Sequence, residues 1–200
     1  VKDDDQRPDL TALLGSRICH DLISPLGAIG NGLELLGMSQ NKTSPEMELI
    51  SESVQSATAR IRFFRIAFGA STKGQIINRA EMATILADSF DPRRITLAHD
   101  LCSAMPRHEV KLAALLLLCL ETALPRGGHM TVQSTAKSWH LTAGGPRLSV
   151  DSPFWRDPAV PLMTDVAASE IHFALVSEAA ERAERRPQVS IEDSGIDIRF

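Results

Sequence analysis

The sequence predicts an α+β protein in two parts. A helical hairpin over residues 1–72 is completed to a dimeric four-helix bundle by a second copy, and an α/β domain follows over residues 73–200. Three observations carry this expectation. Apolar residues recur at three- and four-residue spacing in two stretches joined by a short polar turn. The pattern then changes to short alternating runs separated by turn residues. Between these lies one strongly apolar run, Leu112 to Leu120, bracketed by Lys111 and Glu121. It suits a core helix and is too short to span a bilayer.

The chain opens on Asp3-Asp4-Asp5, which does not read as a signal peptide. Pro8-Asp9 then leads into a helix over about Leu10 to Leu36. Ile18, Leu22, Leu26, Ile29, Leu33 and Leu36 form its seam. At a turn of about 100° per residue, His20 lies roughly opposite Ile18. Gly27, Asn31 and Glu34 share its side, and Ser16, an exposed Ile23 and Ser24 flank it. Pro25 is expected to bend or loosen the helix just after His20. Gly27, Gly30 and Gly32 keep the surface low at some loss of helix propensity.

Gly37 to Thr43 is a polar turn. Ser44-Pro45-Glu46 starts a second helix, with Ser as N-cap, Pro at the first position and an acid in the first turn. Met47, Ile50, Val54, Ala57, Ile61, Phe64 and Phe68 follow at heptad spacing. One hairpin cannot bury both a seam and its flanking apolar residues, so a homodimer is expected.

Gly69 to Gly74 reads as a linker. The second part predicts helices over Asn78–Phe90, Arg107–Leu124 and about Asp165–Arg185, the last opened by Thr164-Asp165. Strands are expected at Arg94–Ala98, Met130–Ala136, Trp139–Ala143 and Arg147–Val150. A terminal hairpin is expected from Gln188–Glu192 and Ile196–Phe200 around Asp193-Ser194-Gly195. The sum is helices on one face of a mixed sheet. A net charge of -4 argues against nucleic acid as a partner. Three widely spaced cysteines, Cys19, Cys102 and Cys119, fit a reducing, cytoplasmic setting. His99, His108, His129 and His140 have no cysteine or carboxylate spacing that would complete a metal site.

The chemistry concentrates in Cys19-His20-Asp21-Leu22-Ile23-Ser24-Pro25-Leu26. A surface imidazole flanked by small residues has what a phosphoryl carrier needs: a reachable ring nitrogen and room for a bulky partner. Imidazole is largely neutral near pH 7, as a nucleophile must be. Asp21 can orient the ring or take its proton, and Ser24, one turn on, can touch a phosphoryl group or an attacking water. Each also has a plainer reading as a solvated helix residue.

This stretch resembles the H-box of the dimerisation and phosphotransfer domain of sensor histidine kinases: His, acid, apolar, any, Thr/Ser/Asn, Pro, apolar. The second part has the element order of the kinase ATP-binding fold, but with Thr122 where that family carries Asn before Ala, and without a glycine-rich lid. Asp193-Ser194-Gly195-Ile196-Asp197 imitates an adenine-reading Asp-x-Gly-x-Gly, yet it lacks the second glycine and follows the last helix instead of preceding it, so it reads as a turn. An intact H-box before a degenerate ATP-binding domain is similar to histidine phosphotransferases of the ChpT type, and the likeness spans essentially the whole chain. It implies a phosphorelay function, with His20 phosphorylated, aided by Asp21 and Ser24. Ser16, Ile23, Gly27, Asn31 and Glu34 would form the docking surface. The implied partners are receiver domains of a hybrid histidine kinase and of response regulators, with neither membrane nor nucleic acid. No cofactor is implied in this chain, and magnesium is expected in the receiver. An ATP-dependent kinase core and a non-catalytic receiver-binding dimer remain as alternatives.

Overall fold

Two antiparallel helices, α1 (Leu10–Ser39) and α2 (Pro45–Ala67), make up the first unit of the computed structural model. The structure describes residues 10–39, 44–72, 74–159, 161, 167–192 and 195–200. The chain divides into Val1–Ala70 and Ser71–Phe200. The start of α2 is built as its sequence dictates. Ser44 stays extended, its hydroxyl accepts the Met47 N–H at 3.3 Å, and Pro45 occupies the first turn, where its missing donor matters least.

Two contacts fix the register of the hairpin. A Cβ on Gly15 would lie 3.3 Å from the Phe68 carbonyl oxygen, and one on Gly30 would lie 3.8 Å from the Val54 side chain. Residue 15 therefore faces 68 and residue 30 faces 54. Within one chain the α1 seam stays open. Ile18, Leu22, Ile29 and Leu36 are 46–51% exposed, and Leu26 and Leu33 are half-buried. On α2 the buried residues are Ala59, Phe63, Ile66 and Ala67, a stripe that the heptad reading does not name.

The second unit begins with β1 (Ile76–Asn78) and α3 (Arg79–Ser89). The Asn78 side chain caps α3 by accepting the Glu81 N–H at 2.9 Å. β2 (Ile95–Asp100), β3 (Ala104–Pro106), α4 (Arg107–Ala123), β4 (Gly128–Ser134) and β5 (Trp139–Gly144) follow. Short 3₁₀ turns at Pro153–Arg156 and Ala168–Glu170 then lead to α5 (Ile171–Arg182), β6 (Gln188–Glu192) and β7 (Gly195–Arg199). β1 and β3 pair as a small antiparallel ribbon. The main sheet runs β2-β4-β5-β7-β6, parallel only between β2 and β4. Met130, Val132, Trp139, Leu141, Ile196 and Ile198 point into the core, while the alternate residues Thr131, Thr142, His140 and Asp197 form a polar outer layer.

The crossover between the parallel strands needs glycine. Gly127 has φ +75°, and a Cβ there would stand 2.2 Å from the Arg94 carbonyl oxygen. That carbonyl accepts the Gly128 N–H at 3.0 Å, which starts the β2–β4 pairing.

α4 is buried on nearly every side: fourteen of its seventeen residues are out of solvent. One of them, Glu109, ties three elements together. Its Oε2 accepts the Trp139 indole N–H at 2.9 Å, and its Oε1 accepts both Arg185 Nε and Nη2 at 3.1 and 2.7 Å. The Trp139 ring lies nearly parallel to that of Phe200, with centroids 5.9 Å apart.

Three expectations need correcting or completing. Arg147–Val150 is not a strand: β4 and β7 already occupy both edges of β5, so the segment has no neighbour there to pair with. The Ser149 N–H is instead bonded to the Ala123 carbonyl at 2.9 Å. The last helix begins at Ile171, not near Asp165; Thr164-Asp165 falls outside the described residues, as does Asp193-Ser194. β1 and β3, of three residues each, are strands that the sequence pattern does not predict.

Replacing Glu109 with Ala leaves a buried indole N–H and a partly covered guanidinium without their acceptor. This should cost about 2–4 kcal/mol of unfolding free energy, measurable by urea titration. On the outer layer, burial pushes the Asp197 carboxyl up, but hydrogen bonds and charge from His140 and Arg199 outweigh it, and the net shift is downward. A lowered carboxyl stabilises the fold above the ordinary carboxylate range and loses that contribution as pH falls below about 4. Asp197→Asn should therefore flatten the acid limb of the stability–pH curve and leave its shape near neutrality unchanged.

Candidate functional site

His20 sits near the middle of α1 and is exposed. The helix runs through Pro25 without a break, so the expected bend reduces to one missing bond: proline has no N–H to give to the Asp21 carbonyl one turn back. Ser24, Gly27, Asn31 and Glu34 are exposed along the same side of the helix. A Cβ on Gly27 would meet nothing within 4 Å, so the hairpin itself gives no reason for its missing side chain. Ile23 is half-buried, where the sequence suggested exposure. It turns partly toward α2 because it lies about 60° closer than His20 to the packed face. Ser16 and Asp21 lie on α1, but their side chains are outside what the structure describes.

Behind His20 the helix packs. Cys19 is buried between the helices. Burial pushes its thiol up, and the positive charge of Arg65 draws it partly back down. The register set by the two glycines brings the last turns of α2 level with His20. Nothing in the one-dimensional pattern announces this, because Cys19 and Arg65 are 46 positions apart.

In the second unit the Thr122 hydroxyl is engaged. It donates to the Leu118 carbonyl at 3.0 Å and lies 3.1 Å from His172 Nε2. A hydroxyl has one proton, so with that proton on the carbonyl the imidazole N–H is the donor. His172 is buried beside the ring of Phe173, which meets Phe154 at a tilt and Trp155 edge-on at centroid separations of 4.9 and 6.0 Å. Asp197 of the Asp-x-Gly imitation is a β7 residue paired with His140 and Arg199. Among the described residues no group of three or more His, Cys, Asp and Glu is placed to hold a metal ion, and no helix is long and apolar enough to cross a membrane.

A helical hairpin presenting an open-faced histidine, followed by helices layered on a mixed sheet, is the architecture of a two-part phosphotransfer protein. Comparison with known proteins agrees. The family described as histidine phosphotransferase C-terminal domain matches residues 79–195. The protein phosphotransferase ChpT of Brucella abortus (strain 2308) is 38% identical over 152 residues, covering 73% of this chain and 72% of that protein. A bacterial phosphotransferase solved at 1.7 Å superposes with a TM-score of 0.69 at 30% identity, covering 100% of this chain and 98% of that one. The chain belongs to the histidine phosphotransferase family.

Proposed function

We propose that His20 is the phosphoryl carrier of this phosphotransferase and that it moves the group between aspartates of two receiver domains. The supporting observation is its setting: an exposed imidazole on a continuous helix, beside a face that Gly27 leaves bare to no intramolecular purpose. A receiver lies along Ser16, Ile23, Gly27, Asn31 and Glu34. The unprotonated nitrogen of His20 attacks the phosphorus of the receiver's aspartyl phosphate in line. The N–P bond forms as the P–O bond breaks, the aspartate leaves as carboxylate with the electron pair, and the other ring nitrogen keeps its proton. A second receiver takes the group by the reverse step. Asp21 orients the ring, and Ser24 donates to the phosphoryl oxygens from one turn away. Magnesium arrives with the receiver's acidic site, not with this chain. Three free cysteines suit work in the reducing cytoplasm.

The protein acts as a homodimer. Ile18, Leu22, Ile29 and Leu36 fall within about 40° of one line along α1 and stay half-exposed in a single chain. A second copy laid along that line closes a four-helix bundle and leaves His20 outside it.

Transfer from a receiver carrying labelled aspartyl phosphate tests the carrier. Wild type should gain acid-labile, base-stable label without ATP, and His20→Ala should gain none while keeping its melting temperature. Ile23→Asp should slow labelling at least tenfold with His20 intact. Label that persists in His20→Ala would sink the assignment, and robust labelling by ATP alone would favour a kinase. The dimer is tested separately by sedimentation: Leu22→Glu with Ile29→Glu should give monomers, and an unchanged dimer would overturn the proposed seam.

A further inference from the structure

The last turns of α2 carry Arg60, Arg62 and Arg65, whereas its first turns carry Glu46, Glu48 and Glu52. Arg60 lies over the Phe64 ring, 4.9 Å from its centroid. The other two are exposed. The register that pairs residue 15 with 68 and residue 30 with 54 puts His20 level with residue 64. Arg62 and Arg65 are then within about 3 Å of His20 along the bundle axis.

Handedness decides which edge of the hairpin they occupy. Viewed from the N-terminus of α1, residue number advances clockwise around α1 and anticlockwise around antiparallel α2. On α1 the packed direction is given by Gly15, Cys19 and Gly30, and His20 lies roughly 110° clockwise of it. On α2 the direction facing α1 is given by Val54 and Phe68, on the side of α2 away from the buried stripe of Ala59, Phe63, Ile66 and Ala67. Arg65 lies roughly 40° and Arg62 roughly 100° anticlockwise of it. Both rotations lead to the same edge. The half-exposed stripe of Ile18, Leu22, Ile29 and Leu36 lies on the opposite edge, so a second copy would not cover the arginines.

We propose that Arg62 and Arg65 hold the charge of the phosphoryl group on His20 and so set how the group is shared between this chain and its receivers. The inference rests on His20 being the carrier. Phosphorylation turns a neutral ring into a group with two negative charges on its oxygens. Guanidinium is permanently charged, and its planar fork fits phosphoryl oxygens. Helices pack at about 8–10 Å between axes, a span that two extended arginine side chains can bridge. The downward pull of Arg65 on the buried Cys19 thiol is a further sign that its charge is felt at this level of α1.

A cation in the last turn of a helix also complements the helix dipole. That role alone would alter stability and leave the phosphoryl partition untouched. Docking strength alone changes the rate of transfer but not its equilibrium. The test is therefore the equilibrium ratio of phosphorylated chain to phosphorylated receiver, using the full chain and one labelled receiver. Arg62→Gln with Arg65→Gln should shift the ratio about tenfold toward the receiver. Arg62→Lys with Arg65→Lys should keep most of the wild-type ratio, and 0.5 M salt should weaken the difference. A wild type that takes no label overturns the carrier assignment itself. A labelled wild type whose ratio the glutamine pair leaves unchanged overturns only the role of the arginines, as does an equal shift in the lysine pair.

Discussion

The three hydrogen bonds on the Glu109 carboxylate are the constraint on which the second unit depends. They join the first turn of α4 to β5 and to the segment that leaves α5, reaching across 30 and 76 positions of sequence. A buried carboxylate is tolerable only with its lone pairs engaged. Here an indole N–H and two guanidinium donors engage them, and the cation supplies the opposite charge. Hydrophobic contact alone would let α4 slide on the sheet; the carboxylate permits one position. Toward its other end α4 meets α5 again where Thr122 reaches His172, next to the Phe154–Trp155–Phe173 cluster.

The first unit is held on different terms. α1 contains Gly15, Gly27, Gly30, Gly32, Gly37 and Pro25, each unfavourable inside a helix by roughly 1 kcal/mol or more. Gly15 has a neighbour that explains it, whereas a Cβ on Gly30 would make only ordinary contact. Gly27 and Gly32 have open space around them. A helix weakened this much and left half-bare along an apolar line is poorly suited to stand alone, and association is the economical way to make it rigid. Exposure that would be a defect in a finished monomer is consistent with a surface awaiting other chains.

Much of the fold is readable from sequence because local rules suffice. Ser44-Pro45-Glu46 can hardly be anything but a helix start, and the run from Leu112 to Leu120 has no other home than a core. The alternation of Gln188–Glu192 and Ile196–Phe200 gives their pairing. What escapes is what local rules cannot see. Three-residue strands such as β1 and β3 fall below any period. Arg147–Val150 alternates correctly, yet sheet order leaves it no place beside β5. Ile23 is drawn toward α2 by the register of two helices, not by its own neighbours. At the site, His20 and its exposed companions follow from periodicity alone, whereas the level of Arg62 and Arg65 required glycine contacts in the folded hairpin.

The enclosure of α4 also governs how this protein can vary. A helix packed on every side accepts few replacements along its length, since each change of volume is felt by the sheet, by α5 or by the Glu109 anchor. Glu121 and Thr122, in its final turn, reach the surface and stand under less of that pressure. A chemical function placed at that end can be gained or lost by single substitutions while the scaffold stays intact. The fold thereby separates what must be kept from what can drift.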